Sequence, residues 1–341
     1  MVDERFAGLV REAKLLLPPL ADYTDYPYRR VMADFHPPFV ITEMVSASAI
    51  VHGGAKTVRM LARTEGSGCE GVQLVGSNQE CMVEAARIVE GLGFAYVDIN
   101  MGCTINKVAK QGAGISLMGD IEKAVGIASA VVGVVTIPVT CKMRLGLTKD
   151  ALNAVELSRK LEDVGVSAVT VHGRSGEKKW GMPVDHGEIR RVVDSVSIPV
   201  VGNGGVFTGR DAVEMIDKAG VAAVMPGRGI IGNPWIVPEI ITTLRGDVYI
   251  PPTLEEKKEK CLLHMRYLAD YYGDVSAAVK MRRILPEYFT GCQNLRSLRQ
   301  DVHETSTTSE VAALIDRISG SSGPGYYDWA VSGAGPSPRR V

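Results

Sequence analysis

The chain has no C-x-x-C pair and no grouping of cysteine with histidine; its six cysteines, Cys69, Cys81, Cys103, Cys141, Cys261 and Cys292, are scattered. That spacing argues against a zinc site and against a disulfide framework, and no metal is expected. It also lacks net charge: 38 Lys and Arg stand against 39 Asp and Glu, a formal charge of −1. A polyanion must therefore be met by a local patch, not by the field of the whole molecule. The longest uncharged run, Ala124 to Cys141, has 18 residues, the edge of membrane-span length. Gly126, Gly133, Pro138 and a shift to the β-branched VVTIPVT break it, which suits a buried helix running into a buried strand, and no membrane partner is expected. The opening MVDERFAGLVREAK is too acidic and too weakly apolar for a secretory signal, so a cytoplasmic protein with reduced thiols is expected. No internal repeat is evident, and nothing implies a protein partner.

What is there begins with size. At 341 residues, 45% of them hydrophobic, the chain is long enough for an α/β barrel and an appendage. Eight short apolar runs recur: Leu15 to Ala21, Phe39 to Val45, Gly71 to Gly76, Ala95 to Gly102, Pro138 to Gly146, Ala168 to Arg174, Pro199 to Val206 and Ala222 to Gly229. Continuous Val/Ile/Leu runs without polar alternation are what a parallel sheet covered on both faces requires. Eight of them alternating with helices is the count that closes a (β/α)8 barrel, with an open doubly wound sheet as the rival. The links are credible helices. In Asn78 to Leu92, Met82, Ala85, Ala86 and Val89 share a face, Asn78 can cap the start, and Gly91 and Gly93 end it. Lys149 to Val164 and Thr208 to Ala219 have similar spacing and stop at Gly165 and Gly220.

After Arg245 the pattern changes. GDVYIPPT reads as a linker, and Leu254 to Tyr272, Ser276 to Phe289 and Ser309 to Ile318 read as helices with no strands between them. The expected organisation is a barrel over 1–245, a helical domain over 246–318 and, from Ser319, a disordered Gly/Ser/Pro tail.

If the runs close in register, their ends share one rim, which collects Asp22, Glu43, Gln73, Asn100, Cys103, Lys142, Arg144, His172, Arg174, Asn203 and Arg228. Most of these are costly to bury unpaired. Cys103 alone reads as a small buried hydrophobe or as a reactive group. Gln73 offers a donor and an acceptor, matching the amide edge of a flavin or a nucleobase. Lys142 is a loop charge or a cation for negative charge developing on a ring. His172 is a satisfied barrel histidine or a donor to a ligand. The glycine turns Gly202 to Val206 and Gly227 to Gly229 end the last two runs, where barrels often bind phosphate, and Arg228 adds a forked cation. From Lys280 to Arg299 there are five basic residues and one acidic, a local footprint for phosphate binding.

These motifs together resemble the tRNA-dihydrouridine synthases. The matching pieces are PPLADYTDYPYR (Pro18 to Arg29), TEMV (Thr42 to Val45), VQLVGS (Val72 to Ser77), DINMGC (Asp98 to Cys103), GAGISLM (Gly112 to Met118), PVTCKMRLG (Pro138 to Gly146), VHGRS (Val171 to Ser175), VVGNGGV (Val200 to Val206), MPGRGIIGNPW (Met225 to Trp235) and MRRILPEYFTG (Met281 to Gly291). Thr104 follows Cys103 where the family has proline, and Arg283 and Ile284 stand where it has a basic residue and histidine. The resemblance implies reduction of the C5–C6 bond of a tRNA uridine by FMN and NADPH or NADH. Hydride would pass from flavin N5 to C6, and a proton from Cys103 to C5. FMN would be held by Pro18, Pro19, Leu20, Gln73, Lys142 and His172, its phosphate by Asn203, Gly204, Gly205, Gly227 and Arg228. Asn100, Arg144 and Arg174 would meet the substrate, and Lys280, Arg282, Arg283, Arg296 and Arg299 the tRNA. Two rival expectations stand beside it, a barrel flavin oxidoreductase for a free pyrimidine or small enone, and a tRNA-binding protein without catalysis.

Overall fold

The structure, a computed structural model, describes residues 3–177, 183–292 and 295–319. The β-branched runs form strands β1 (Phe39–Ser46), β2 (Cys69–Val75), β3 (Tyr96–Met101), β4 (Val139–Arg144), β5 (Gly146–Thr148), β6 (Ala151–Leu152), β7 (Ala168–His172), β8 (Val200–Asn203) and β9 (Ala223–Met225). Seven of them make one curled parallel sheet in the order β1-β2-β3-β4-β7-β8-β9.

The first run, Leu15 to Ala21, does not become a strand, yet it joins the two edges. Leu15 forms a parallel bridge with Val224, and Leu16 N donates to Val224 O at 3.0 Å. Leu17 N donates to Phe39 O at 3.0 Å, so three residues lie between β9 and β1 and close the (β/α)8 barrel. Proline at 18 and 19 limits this segment, since proline has no N–H for a ladder.

Parallel register puts every second side chain inward. On the inside, at the N-terminal end of the strands, Leu16, Phe39, Ile41, Tyr96, Ala168, Val201 and Ala223 form an apolar plug. The helix Glu4–Ala13 seals it from below with Phe6, whose ring lies 5.5 Å from those of Phe39 and Tyr96. A Cβ on Gly71 would come within 2.4 Å of the Tyr96 ring, so only glycine fits beside that aromatic.

The outer helices bury the faces their spacing predicts. Gln79–Gly91 buries Met82, Ala85, Ala86 and Val89 behind an Asn78 cap on Cys81 N. Met82 and Val89 each contribute about 1.5–3 kcal/mol when fully buried. Gly209–Ala219 starts in a Thr208/Asp211 capping box and ends at Gly220, φ 66°. The helix expected from Lys149 begins instead at Ala154, because β5 and β6 pair as a small antiparallel hairpin and Asn153 N and Ala154 N both donate to Leu145 O.

Beyond the linker come helices Leu254–Tyr272, Asp274–Tyr288, Leu295–Glu304 and Thr308–Asp316, with their own core of Cys261, Leu268, Met281, Leu285, Phe289 and Val311. The third was not expected. Apart from Leu295, only Leu298 and Val302 among its residues are apolar, too sparse a stripe to read. Tyr28 against His264 (5.7 Å), Trp235 against Tyr288 (6.2 Å) and Arg30 over Tyr267 (3.6 Å) join this unit to the barrel. Apart from Ser319, the expected tail lies outside the described residues. No helix of the described residues is long and apolar enough to cross a membrane.

Candidate active site

Above the apolar plug the inward positions turn polar. Register aligns Gln73 with Asp98, Asp98 with Thr140, Asn100 with Lys142, Arg144 with His172 and His172 with Asn203. Adjacent strands thereby deliver their polar residues to one end of the barrel, where catalytic residues of such folds lie.

Asp98, buried and in the middle of an apolar strand, anchors a continuous network. Its carboxylate accepts from Thr140 Oγ1 at 2.6 Å and Gln73 Nε2 at 2.7 Å. Gln73 Oε1 accepts from Asn100 Nδ2 at 2.8 Å, and Asn100 Oδ1 accepts from Gly102 N at 3.2 Å and Cys103 N at 3.0 Å. Burial pushes the Asp98 carboxyl up to about 6, against the pull of its hydrogen bonds and of Lys142. Arg144 staples the same loop from the other side, donating from Nε to Gly102 O and from Nη1 to Ser175 O, each at 2.9 Å. Cys103 is half-buried, a free thiol. A Cβ on Gly114, φ +60°, would meet Cys103 O at 2.8 Å, so that glycine lets the following turn pack against the thiol's backbone.

Around this loop positive charge gathers. Lys142 Nζ donates to Asn203 Oδ1 at 3.0 Å, while Asn203 Nδ2 donates to Met225 O at 2.7 Å. Burial and the nearby Arg144 push the lysine down to about 8, with Asp98 opposing. His172 is held well below its usual range by burial and by Lys142, Arg144, Arg174 and Arg228, so its ring is neutral. Its Nε2 lies 3.1 Å from Arg174 Nη1, which makes Nε2 the acceptor and Nδ1 the protonated nitrogen. Four cations about one neutral imidazole suit an anion or a ring that accumulates negative charge.

The two glycine turns touch. A Cβ on Gly229 would meet Val206 O at 2.7 Å, and one on Gly204, φ +106°, would meet His172 Cδ2 at 2.8 Å. At Gly227 a Cβ would meet nothing within 4 Å, so that turn opens on space beside Arg228. Pro18 is buried and Pro19 and Leu20 are half-buried just beyond the closing segment, where Leu20 N donates to Thr24 Oγ1 at 2.8 Å.

The structure thus joins Gln73, Asn100, Cys103, Lys142, Arg144, His172, Arg174 and Asn203 by direct bonds or register. Sequence reasoning passed over Asp98 and Thr140; the signal was a lone carboxylate at an inward strand position two residues before Asn100. The basic window splits in two. Lys280 is turned in, 3.3 Å from the buried Asp25 carboxylate and 4.5 Å from the Tyr272 ring, and Arg282 donates to Thr305 O at 2.7 Å. Arg283 and Arg299 face solvent, at 3.8 Å from Asp22 and Glu287 respectively. The Arg296 side chain lies outside the described part. Among the described residues, no three His, Cys, Asp or Glu side chains group as metal ligands.

Comparison with known proteins adds a family. The profile described as "Dihydrouridine synthase (Dus)" matches residues 16–320. A probable tRNA-dihydrouridine synthase of Rhizobium leguminosarum bv. phaseoli is 35% identical over 275 residues, 81% of this chain and 84% of that one. The tRNA-dihydrouridine synthase B of Pasteurella multocida is 32% identical over 84% of this chain and 87% of its own. A probable tRNA-dihydrouridine synthase of Rhodobacter capsulatus is 37% identical over 76% and 81%. Among solved structures, histamine dehydrogenase from Rhizobium sp. 4-9 superposes with a TM-score of 0.53 at 12% identity, over 74% of this chain and 49% of that one, a likeness of fold.

Proposed function

The chain belongs to the dihydrouridine synthase family of oxidoreductases, and from that premise we propose that it reduces the C5–C6 double bond of a uridine in tRNA, in the cytoplasm, with FMN and NADPH or NADH. The observation that carries the reading is the network ending on the backbone of Cys103 beside the cations around His172. When bound, FMN supplies the hydride for uracil C6. The residues fit it. Gln73, Lys142 and His172 present donors to a polar ring edge, and Pro18, Pro19 and Leu20 offer an apolar side. Gly204, Gly205, Gly227 and Arg228 form a cradle for its phosphate. Asn203 acts here through Lys142, whose amine it holds.

The chain's own chemistry is the proton. Negative charge builds on the uracil as C6 takes hydride, and C5 must then be protonated. The Cys103 thiol is the donor, its S–H standing on the loop that the network holds in place. Arg144 fixes the loop that holds the thiol, and with Arg174 and Asn100 it faces the substrate. Thr104, in the position of the family's proline, leaves the backbone of this loop to be held by Asn100 and by the Arg144 bond to Gly102 O.

A uracil stacked in tRNA cannot reach a barrel interior, so the base is flipped out, an unstacking cost of a few kcal/mol offset by contacts to the rest of the RNA. The helical unit supplies those contacts, through Arg283 and Arg299 at its surface, while Lys280 and Arg282 shape the unit from inside. The test is Cys103→Ala. Dihydrouridine formation in tRNA should fall by about 100- to 10,000-fold with bound FMN retained. Full activity in this variant would refute the proton donor, and wild-type protein that takes up no FMN would refute the cofactor.

A further inference from the structure

Asp98 is buried and makes no bond to the thiol, and the mechanism above gives it nothing to do. Its surroundings are nonetheless restrictive. Asp98, Gln73, Asn100 and Thr140 are at most 8% exposed, so no solvent replaces a lost bond. A carboxylate has no hydrogen to give, and both oxygens of Asp98 receive one, from Thr140 and from Gln73. Gln73 must therefore turn its nitrogen toward Asp98 and its oxygen toward Asn100. That commits the nitrogen of Asn100 to Gln73, and its oxygen to the N–H groups of Gly102 and Cys103. Every link has one donor and one acceptor, so the series has a direction, and that direction begins at the carboxylate.

We propose that Asp98 is a positioning residue: an acceptor at the base of a directed amide relay that fixes which end of Gln73 meets the cofactor and locks the loop bearing Cys103. This rests on the flavin reading for the Gln73 end only, because the Cys103 end exists without any ligand. Each of the two amides spends one N–H within the relay and keeps its second for a ligand. The Asp98 charge also supports the Lys142 ammonium, which ties relay and cation cluster together. A reversed Asn100 would face the two loop N–H groups with a third donor, and the loop would be released.

The direction can be broken and remade by moving one carboxylate. Gln73→Glu alone sets two carboxylates side by side and removes the donor that Asp98 requires. Gln73→Glu combined with Asp98→Asn restores it in mirror form: the amide at 98 accepts from Thr140 and donates to the carboxylate at 73, which accepts from Asn100 as before. The readout is the alkylation rate of Cys103 by iodoacetamide in the apoprotein, followed on its own peptide by mass spectrometry, with circular dichroism for the fold. Gln73→Glu and Asp98→Ala should each raise the rate about fivefold or more, and the double variant should return it to within about twofold of wild type. FMN affinity should stay low in both Gln73 variants, since neither regains the donor at 73. A double variant as reactive as Gln73→Glu, or as poorly folded as it, overturns the relay, as does a folded Asp98→Ala with wild-type reactivity. A wild type that binds no FMN refutes the flavin reading while the thiol rates still judge Asp98.

Discussion

At the floor of the barrel Phe6, Phe39 and Tyr96 pack ring against ring, and near that end, on the outer face of β2, the Arg29–Glu70 pair is wholly enclosed. Toward the other end of the strands the inward positions carry Asp98, Asn100, Lys142 and His172. Arg29 at the floor is 1% exposed and makes four bonds, to Glu70 Oε1 at 3.0 Å and to the carbonyls of Thr24, Met60 and Ala62. At the rim like charges crowd together: burial and the nearby Arg144 push Lys142 down, and burial with Lys142, Arg144, Arg174 and Arg228 keeps His172 neutral. The first end pairs its buried charge internally. The other keeps like charges together at a cost to stability, which is the condition for binding something negative.

The contrast breaks most easily at the floor. Arg29→Met leaves the Glu70 carboxylate buried without its cation, and three carbonyls without their donor. The loss should be about 3–5 kcal/mol of unfolding free energy by denaturant titration. A variant as stable as wild type would mean that the floor tolerates a lone charge, and the two ends would not differ in kind. Phe6→Ala is the next largest. It empties the plug for about 3 kcal/mol. Because Phe6 seals the end opposite the cations, FMN affinity should stay within about twofold of wild type. A parallel loss of affinity would show that plug and rim are one cooperative unit.

The two ends also differed in how far the sequence disclosed them. Apolar runs at regular spacing declared the strands, and helix caps such as Asn78 and Thr208 stood where the patterns began. The closing segment was harder: Leu15 to Ala21 reads like the other runs, but its two prolines leave only three residues to bridge the edges. At the rim, residue types at strand ends named most of the cluster, because polar residues inside apolar runs are costly without a purpose. Direction was not legible. That Asn203 serves Lys142, that Lys280 turns in to Asp25, and that Asp98 orders Gln73 and Asn100 depend on register between strands far apart in the chain. Composition saw five basic residues in one window, and could not see that the helix Asp274–Tyr288 turns Lys280 and Arg282 inward while leaving Arg283 exposed.

The smallest effect sharpens the comparison most, because it has opposite signs in two measurements. The Lys142 ammonium is disfavoured in the folded protein, where it titrates at about 8 against an ordinary 10.5. Between those values the unfolded chain binds more protons than the folded one, so stability rises with pH. The penalty is full below about 8 and is relieved as pH climbs through it; from pH 7 to 8.5 the apoprotein should gain a little under about 1 kcal/mol relative to Lys142→Met. FMN affinity should move the other way, since the cation that meets the ring is lost over the same interval, and this fall should be absent in Lys142→Met. Paired denaturant and FMN titrations at several pH values read both slopes. If affinity and stability rose together, the charge of Lys142 would be a defect of the rim with no part in binding; opposed slopes mean that the folded barrel bears the cost of this cation because its ligand needs it.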